Sequence, residues 1–506
     1  MVVELVHHGQ AFSRWGVVVT SRLRGYGRAI ATVAVTVGLV TSFSIPATAS
    51  SNEDHGSIEI YAPQRETTLV RFSHREPVDF SNGLFIAARH AKFEVHVSRD
   101  SYRDPIRADV GTGHGASLPV PPALLRGFSG FKNAIHIHAT NKFGTVVADY
   151  NMDWCPNSFD RSRLNDLGPA DPVYPDDCSG FNPFARGAVW GVESGWAVRL
   201  GGFSFFPGAP TTTIPDGYYH VTAHWSSTFA SALHLRVTRV AVGVTVTTQA
   251  FPPPPGAQSP NARRDSLAVP LVQKPDPSTV PDLVAVPAWG IATSHDQGRD
   301  YLNFGATIWD KGPAPMVIEG FRRPNQAIMD AYEYFYRNGE RIGRRQVGSM
   351  EYDARIGHQH WHFHDFAKYE LLDVKQSHPQ RSGKASFCLA NTDAMDMLVR
   401  NAQWRLSFDS LGSVCGQADA IWVREALAVG YGDTYTQSVP GQAFDITTLP
   451  NGTYYIRVTA NPFGRLAEVS TSNNTSLRKL VIGGPRGKRT VHVPPYQLVD
   501  SEHPGL

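Results

Sequence analysis

Four histidines alternate with bulkier residues in one short stretch of the chain, "HQHWHFH", and this spacing strongly restricts the local fold. The alternating residues are His358, His360, His362 and His364. In a β-strand, residues two apart point to the same side, so the imidazoles would line one face while Trp361 and Phe363 fill the other. The spacing therefore predicts a strand with an imidazole face and a core face.

A row of imidazoles on one face is typical of a metal site. Imidazole is the usual ligand for copper, zinc and iron, and metal–nitrogen bonds near 2 Å require the rings to converge. Same-face neighbours on a regular strand stand roughly 6.5 Å apart, so a third ligand requires a bend or a bulge. We predict a metal site with irregular backbone here. Solvated surface histidines and an adventitious or storage metal site are the alternatives.

The rest of the chain favours strands over helices. With 506 residues, 42% of them hydrophobic, the chain is long enough for at least two domains with substantial cores. Many Pro and Gly residues separate runs rich in Val, Thr, Tyr and Phe, which indicates strands joined by turns. We predict an all-β protein with few short helices. The stretch "QAIMDAYEYFYRNG" fits either a short helix or an aromatic strand.

The N-terminal residues have the features of a secretion signal. Three arginines precede an apolar run of about a dozen residues, 29–40, and Ala47 and Ala49 flank a cleavage site. Since the run is short for a membrane span, we predict a signal peptide over 1–49, cleavage near Ala49 and a secreted, extracellular protein with no stable membrane span. An uncleaved anchor and a true start downstream of Met1 are the alternatives.

The charge of the mature chain bears on its partners. Loss of residues 1–49 removes four basic residues and one acidic residue, leaving 43 basic against 44 acidic residues. Binding to phosphates requires a concentrated basic surface, so this near-neutral chain is not predicted to bind nucleic acid.

The four cysteines form two pairs that are local in sequence. In an oxidising compartment the economical pairing is Cys155 with Cys178 and Cys388 with Cys415. Each bridge would close a loop of a few tens of residues and stabilise the fold by roughly 3 to 4 kcal/mol. No Cys-x-x-Cys spacing indicates zinc binding or redox activity.

Proline-rich segments divide the chain into two halves. "FPPPPGAQSPNARR" and "KPDPSTVPD" cannot lie in central strands and indicate a semi-rigid connector. We predict a first β domain over 51–250, a linker over 251–281, a second β domain over 282–482 and a C-terminal tail over 483–506.

The two halves also resemble each other. A constant offset of 235 residues aligns Gly195 with Gly430 and Pro215 with Pro450, and an Asp-Gly or Asn-Gly hairpin turn follows each proline. "IHIH", with His136 and His138, resembles a thinner version of the histidine run. These matches indicate a duplication. The alternative is that two β-sandwiches use the same turn residues for generic reasons.

The histidine run belongs to a longer pattern, "GHQHWHFHDFAKYELLD", which closely resembles the copper motif of the lysyl oxidase family. The resemblance continues through "SGKASFCLANT", "GDTYTQSVPGQAFDIT" and "NPFGRLAEVSTSNN" and covers most of residues 282–482. It implies a β-sandwich catalytic domain of lysyl oxidase type, preceded by a second, degenerate β-sandwich domain.

The lysyl oxidase family builds its own cofactor, lysine tyrosylquinone, from one lysine and one tyrosine. The resemblance places these residues at Lys384 in "GKASFC" and Tyr435 in "GDTY". Copper and O2 oxidise the tyrosine ring to a quinone, and the lysine amine adds to it. The resemblance therefore implies an amine oxidase that converts primary amines to aldehydes with O2, releasing H2O2 and NH3.

The family's three copper ligands fall on His358, His360 and His362. His364 lies beyond this triplet, and the sequence is one residue shorter between the triplet and Phe366, so which three of the four histidines bind copper stays open. Lys368 stands where the animal enzymes have a histidine, which changes the hydrogen bonding around the ligands.

An aspartate near the tyrosine is a candidate base. Asp433 lies two residues before Tyr435, hence on the same face of a strand, where its carboxylate could take a proton from the substrate carbon or orient the quinone. An ordinary turn aspartate is the alternative.

Oxygen-bearing residues at both ends of the second half resemble a calcium site of the animal enzymes. Carboxylate, amide and backbone oxygens suit calcium. Ser470 replaces an aspartate there and removes a charge, so calcium binding stays open. The candidate ligands are Asp282, Leu283, Glu468, Ser470, Asn473 and Asn474.

The first half lacks the residues that make the cofactor. In the duplication register, Asn151 stands at the lysine position and Leu200 at the tyrosine position. We predict that this half has a structural or substrate-binding role.

The sequence thus predicts a secreted copper-dependent amine oxidase whose partners are O2 and a primary amine or a lysine-containing protein. The rival of a different class is a non-enzymatic, secreted copper-binding or cell-surface interaction protein. A zinc hydrolase is a distant third, since no His-Glu-x-x-His motif occurs. The sequence does not fix the amine or the oligomeric state.

Overall fold

A computed structural model gives the architecture of most of the chain. It describes residues 58–71, 73–74, 76–111, 117–165, 168–178, 180–201, 214–249, 269–323, 326–355, 359–377, 379–381, 386–406, 411–439 and 441–502. The predicted signal peptide over 1–49, His358 and Lys384 lie outside these residues. All of the described residues fall within one unit, Asp54–Leu506.

The described part of the first half contains thirteen strands and one α-helix, α1 (Ser227–Ala232), whose first turn is capped by the Ser226 side chain. A 3₁₀ turn covers Pro122–Leu124. The strands are β1 (Ile58–Tyr61), β2 (Glu66–Arg71), β3 (Phe85–Ala88), β4 (Phe93–Ser98), β5 (Arg107–Gly111), β6 (Ser117–Pro119), β7 (Phe131–Asn141), β8 (Val146–Trp154), β9 (Arg161–Arg163), β10 (Gly187–Val192), β11 (Trp196–Arg199), β12 (Gly217–Trp225) and β13 (Val240–Thr248).

The described part of the second half follows a 3₁₀ turn, Pro277–Thr279. Its strands are β14 (Leu283–Ala285), β15 (Trp289–Asp296), β16 (Arg299–Asp310), β17 (Met316–Arg322), β18 (Ile328–Arg337), β19 (Glu340–Asp353), β20 (His360–His364), β21 (Ala367–Leu372), β22 (Gln380–Arg381), β23 (Ser386–Phe387), β24 (Asp393–Ala394), β25 (Trp422–Leu427), β26 (Tyr431–Tyr435), β27 (Ala443–Asp445), β28 (Gly452–Ala460), β29 (Thr475–Gly483) and β30 (Thr490–His492). The all-β class with few short helices is confirmed.

The described residues of each half form three sheets. In the first half their strand orders are β1-β3-β11-β9, β10-β4-β5-β6 and β2-β13-β12-β7-β8. In the second half they are β14-β16-β26-β24, with β15 and β27 also paired to β16, then β23-β20-β19-β18-β17-β25, and β22-β21-β28-β29-β30. The stretch that fitted either a helix or an aromatic strand forms β18, which pairs with β17 on one side and β19 on the other.

Each half has its own large hydrophobic core. One core is drawn from residues 58 to 246 and the other from residues 283 to 482. A smaller cluster joins Phe184 of the first half to Trp289, Trp309 and Val499. The predicted domain boundaries remain a proposal, but the two main cores divide the chain at nearly the same place.

Equivalent strands of the two halves begin and end at the same offset. Adding 235 residues to the bounds of β10, β12 and β13 gives the bounds of β25, β28 and β29. Gly195 and Gly430, which the sequence comparison aligned, both have positive φ, +76° and +90°, a conformation that glycine adopts without strain. These matches favour the proposed duplication.

A tyrosine fastens the same corner in each half. The Tyr219 hydroxyl donates to the Pro215 carbonyl oxygen at 2.6 Å, and the Tyr454 hydroxyl donates to the Pro450 carbonyl oxygen at 2.8 Å. A hydroxyl that returns to the backbone a few residues upstream holds the entry of a strand in β-sandwich folds. The aligned prolines therefore occupy equivalent three-dimensional positions.

The histidines of "IHIH" are not counterparts of the histidine run. His136 and His138 lie on β7, which pairs with β12, and the equivalent neighbour of β28 is β21. The histidine run forms β20, in a different sheet. That interpretation was wrong because alternating histidines mark any strand with one polar face and do not identify its place in a sheet.

Both predicted disulfides are confirmed. Cys155 bonds to Cys178, and Cys388 bonds to Cys415, with Cα–Cα distances of 5.9 and 6.0 Å. The second bridge connects the residue after β23 to the loop before β25.

The segment 496–502 packs between the halves. The Leu498 amide donates to the Tyr102 carbonyl oxygen of the first half at 3.0 Å. On the other side, the Ile291 amide donates to the Glu502 carboxylate at 2.7 Å and the buried Arg478 guanidinium donates to the Ser501 hydroxyl at 2.8 Å. This segment, which we call the seam segment, therefore binds both halves at once.

Candidate active site

The histidine run forms a strand over its described part. β20 covers His360–His364, and its two aromatic residues, Trp361 and Phe363, are 0% and 1% exposed and belong to the core of the second half. The predicted strand is confirmed for these residues. His358 lies outside the described residues, and His362 is itself fully buried.

Two of the imidazoles converge. The ring centroids of His360 and His362 are 4.6 Å apart, closer than the roughly 6.5 Å between same-face positions on a regular strand. Positive φ angles at Gln359 (+47°) and Asp365 (+63°) flank the strand on both sides. The backbone is therefore irregular at both ends of β20, as the spacing predicted.

Polar groups on neighbouring strands orient the imidazoles. Nδ1 of His362 lies 3.5 Å from the Ser386 hydroxyl and 3.6 Å from the Asp353 carboxylate. Groups on the far nitrogen of a histidine commonly fix the ring of a metal ligand and leave the other nitrogen for the ion. Nε2 of His364 instead lies 3.4 Å from the Glu351 carboxylate.

These contacts bear on which histidines hold copper. Among the described histidines, His360 and His362 converge, whereas His364 faces Glu351. Within the described residues, no group of three or more His, Cys, Asp or Glu side chains is placed to hold a metal ion. The donor chemistry of the two convergent imidazoles fits copper, and the complete ligand set stays a prediction.

The side chain of Phe387 lies between Tyr435 and the histidine strand. Phe387 pairs with Phe363 of β20 and packs its ring edge-on against Tyr435, with centroids 5.2 Å apart. The Tyr435 hydroxyl donates to the Cys388 carbonyl oxygen at 2.8 Å. Lys384 lies outside the described residues, but Ser386, two residues further along the chain, pairs with His364. The strand that follows Lys384 thus runs between the histidines and Tyr435.

Two buried carboxyl groups share one backbone segment with Tyr435. The Leu389 amide donates to Oε2 of Glu425 at 3.0 Å, and the Ala390 amide donates to Oδ1 of Asp433 at 3.4 Å. Glu425 is 0% exposed and Asp433 is 4% exposed. Within the described residues, Oε1 of Glu425 has no hydrogen-bond partner. The segment from Cys388 to Ala390 therefore gathers the tyrosine and both acids.

Burial governs the protonation of this group. It raises the pKa of Glu425 well above its ordinary value, and the nearby Asp433 carboxylate raises it further. The pKa of Tyr435 is also raised well above its usual range, first by burial and then by the charges of Asp433 and Glu425. Since like charges in an apolar site repel each other strongly, the Asp433 carboxylate favours the protonated form of Glu425.

Glu425 is the residue that the sequence reading missed. It lies in "WVREALAV", where two charged residues interrupt an apolar strand that is buried along most of its length. A charged residue in a buried strand is a signal of a paired or functional group. Asp353 and Glu351, which face the histidines, carry no such signal because they lie in a half-exposed stretch of β19.

The structure brings most of the calcium candidates together. The Asn473 amide nitrogen donates to Asp282 at 2.9 Å, the Asn474 amide nitrogen donates to Glu468 at 2.8 Å, and the Leu283 backbone amide donates to Glu468 at 3.1 Å. Ser470 instead hydrogen-bonds locally to Ser472.

Two buried oxygens at this place suit a cation. Within the described residues, Oδ1 of Asn473 and Oδ1 of Asn474 have no hydrogen-bond partner. Burial raises the pKa of Glu468, and the Asp282 carboxylate adds to the effect. A calcium ion would satisfy both amide oxygens and offset the carboxylate charges. The residues present therefore fit calcium, with Ser470 as the weakest of the six.

Calcium is expected to stabilise the protein. A ligand at a hundred times its dissociation constant stabilises the folded state by about 2.7 kcal/mol, which for a chain of this size corresponds to a Tm increase of about 2 °C or more. Thermal unfolding with and without added calcium measures the shift. Glu468→Gln is expected to abolish it, and Glu340→Gln, at an exposed hairpin residue, to preserve it. An equal shift in both variants would contradict the site.

Comparison with known proteins extends the resemblance seen in the sequence. Residues 337–488 match the lysyl oxidase family model. The chain is 27% identical over 159 residues to chicken (Gallus gallus) lysyl oxidase homolog 2, a match that covers 31% of this chain and 18% of that protein. It is 32% identical over 126 residues to human lysyl oxidase homolog 4, covering 24% of this chain and 15% of that protein. The resemblance to the lysyl oxidase family is confirmed.

The match covers only part of this chain and only part of the relatives. It includes β20, Tyr435 and the candidate calcium ligands near Glu468 but excludes the first half. The alignments with the two relatives cover less than a fifth of the length of those proteins.

Proposed function

We propose that this protein is a copper-dependent amine oxidase of lysyl oxidase type. One observation carries the proposal: Tyr435 packs against Phe387, which pairs with the histidine strand, inside the region similar to lysyl oxidases. A copper-binding protein without a quinone would not need a half-buried tyrosine whose pKa is raised by two nearby carboxyl groups.

Copper at the histidines would supply the oxidising power that converts Tyr435 to a quinone crosslinked to Lys384, and that quinone would supply the electrophilic carbonyl for a primary amine. The protein's own groups do the rest. The Cys388 carbonyl oxygen holds the Tyr435 hydroxyl, and Phe387 limits rotation of the ring. Tyr435 is partly buried against the core of the second half, which limits its contact with water and strengthens the effect of nearby charges on the ring.

Asp433 is the proposed base. It accepts a proton from the substrate carbon that bears the nitrogen, while burial and the Asp433 charge raise the pKa of Glu425 and favour its protonated form. The Ala390 amide, which donates to Asp433, fixes the direction of the carboxylate. A positioned base of this kind typically contributes about 10² to 10⁴ in rate.

The substrate and the compartment follow from the same proposal. Candidate substrates are primary amines, including lysine side chains of proteins, and the products are an aldehyde, H2O2 and NH3. Secretion is supported by the two disulfides and by the predicted signal peptide. Among the described residues, no helix is long and apolar enough to cross a membrane.

The first half is proposed to be a non-catalytic copy. Leu200, at the tyrosine position, is 2% exposed and follows β11, the counterpart of β26. Asn151, at the lysine position, lies on β8. Neither side chain can contribute to a quinone.

The decisive experiment combines mass spectrometry with an amine panel. After aerobic copper loading, peptides containing Lys384 and Tyr435 are expected to be joined, and the protein is expected to produce aldehyde and H2O2 in equal amounts from at least one primary amine or lysine peptide. Bound copper without crosslink or peroxide would favour the copper-binding alternative.

A further inference from the structure

The first half reaches the strand that carries Tyr435. Asn182, which is 4% exposed, donates from its amide nitrogen to the Thr307 hydroxyl at 2.8 Å and to the Thr434 hydroxyl at 3.4 Å. Its amide oxygen accepts the Phe184 amide at 3.0 Å, which fixes the side chain. Asn182 of the first half therefore hydrogen-bonds to the side chain of Thr434, the residue between Asp433 and Tyr435.

The hydroxyl that Asn182 contacts belongs to a buried network. The Thr307 and Thr434 hydroxyl oxygens are 2.6 Å apart, and Thr434 also donates to the Asp393 carboxylate. The Trp289 ring nitrogen donates to Thr307 at 3.3 Å. Buried polar groups are costly when unsatisfied, so this network fixes the positions of its members.

Strand alternation turns this network into a support for the reacting residues. Thr434 lies on β26 opposite Thr307 of β16, and Asp433 and Tyr435 are its two neighbours in the chain. Successive side chains of a strand point to opposite faces. The network therefore holds β26 on the face opposite to the side chains of Asp433 and Tyr435.

Backbone contacts hold the donor segment in place. The Arg186 amide donates to the Met395 carbonyl oxygen at 2.6 Å, and the Met397 amide donates to the Gly187 carbonyl oxygen at 2.9 Å. Residues 182–187 thus bind the segment 393–397, of which β24 pairs with β26. Asn182 lies at the start of a continuous interface.

We propose that the first half serves as a positioning element for the active site and that Asn182 is its positioning residue, holding Thr434 and thereby the backbone between Asp433 and Tyr435. Its effect on catalysis rests on the proposed function, whereas its effect on the strand does not. In this proposal the first half acts on catalysis through the rigidity of β26.

The strand can be tested without copper, quinone or substrate. In metal-free full-length protein, Asn182→Ala is expected to accelerate amide hydrogen exchange of residues 431–437 by about tenfold, because a buried hydrogen bond is lost. Thr434→Val, nearly the same in shape, is expected to give the same acceleration. Unchanged exchange over 431–437 in both variants would overturn the proposal.

Asn157→Ala is the matched control. Asn157 is 5% exposed and makes three side-chain hydrogen bonds, all within the first half, to Asp177, Val189 and Gly191. Its loss is expected to destabilise the first half without accelerating exchange over 431–437. Equal acceleration in the control would mean that general destabilisation, not Asn182, controls the strand, and would overturn the proposal.

Activity provides the second readout. In copper-loaded protein, Asn182→Ala is expected to lower kcat by about tenfold to a hundredfold at unchanged copper content, with KM changed less than about twofold, because misplaced reacting groups cost rate. The double variant with Thr434→Val is expected to be no worse than the worse single variant, since the two residues share one contact. Additive losses would contradict that contact.

The two hypotheses fail separately. A wild-type protein without crosslink or peroxide would refute the proposed function, and hydrogen exchange would still decide the role of Asn182. A wild-type oxidase whose kcat is unaffected by Asn182→Ala would refute the positioning role alone.

Discussion

Tyr435→Phe is expected to leave the protein folded and loaded with copper but without visible quinone absorption and without amine oxidase activity. The variant removes the phenol oxygen, without which the ring cannot be oxidised to a quinone. It also loses the hydrogen bond to the Cys388 carbonyl oxygen, a destabilisation of about 1 kcal/mol. Lys384→Arg is expected to give the same loss, because a guanidinium does not add to the ring. Absorption spectra, phenylhydrazine derivatisation and peroxide assays measure the outcome.

Tyr454→Phe is the matched control for this experiment. Its hydroxyl also donates to a backbone carbonyl, that of Pro450 at 2.8 Å, but lies at the corner of β28. It should lose a similar amount of stability and retain both the quinone and the activity. Wild-type amine oxidation by Tyr435→Phe would refute the lysyl oxidase mechanism.

His360→Ala is expected to reduce bound copper from about one ion per chain to background. The ring of His360 converges on that of His362, and removing one imidazole from a three-ligand set leaves two, too few to hold the ion tightly. Elemental analysis after dialysis measures the copper content. Activity and quinone should be lost together with the metal.

His364→Ala makes the comparison sharper. Because His364 faces the Glu351 carboxylate, this variant is expected to retain copper, as is His220→Ala at an exposed histidine of the first half. Retention of copper by His360→Ala, with loss in His364→Ala, would show that His364, and not His360, belongs to the ligand set.

Local patterns in the sequence were enough to predict the strand of histidines, the disulfides and the offset between the halves. Period-two alternation, the pairing of nearby cysteines and repeated turn residues each involve residues that are close in the sequence. Such patterns can therefore be recognised without knowing the fold. The stretch that became β18 was ambiguous because a strand and a buried helix both tolerate a run of aromatic residues, and only pairing with β17 and β19 distinguishes them.

Contacts between distant residues could not be read in this way. Asn182 and Thr434 are separated by 252 positions, and nothing near either residue in the sequence indicates the other. Glu425 became interpretable only when its burial and its shared backbone segment with Asp433 were visible. The false equivalence of His136 with the histidine strand has the same origin, since sheet membership is decided by pairing and not by local composition.

The seam segment also determines the order in which the molecule can be completed. Both halves precede residues 496–502 in the chain, so a state in which the junction is still open precedes the finished protein. In that state the apolar surface around Trp289 and Trp309, which Val499 helps to cover, is exposed to water and to other chains, the condition under which multidomain proteins aggregate. Closing this junction therefore removes that exposed surface, and yield in expression should depend on how quickly it closes.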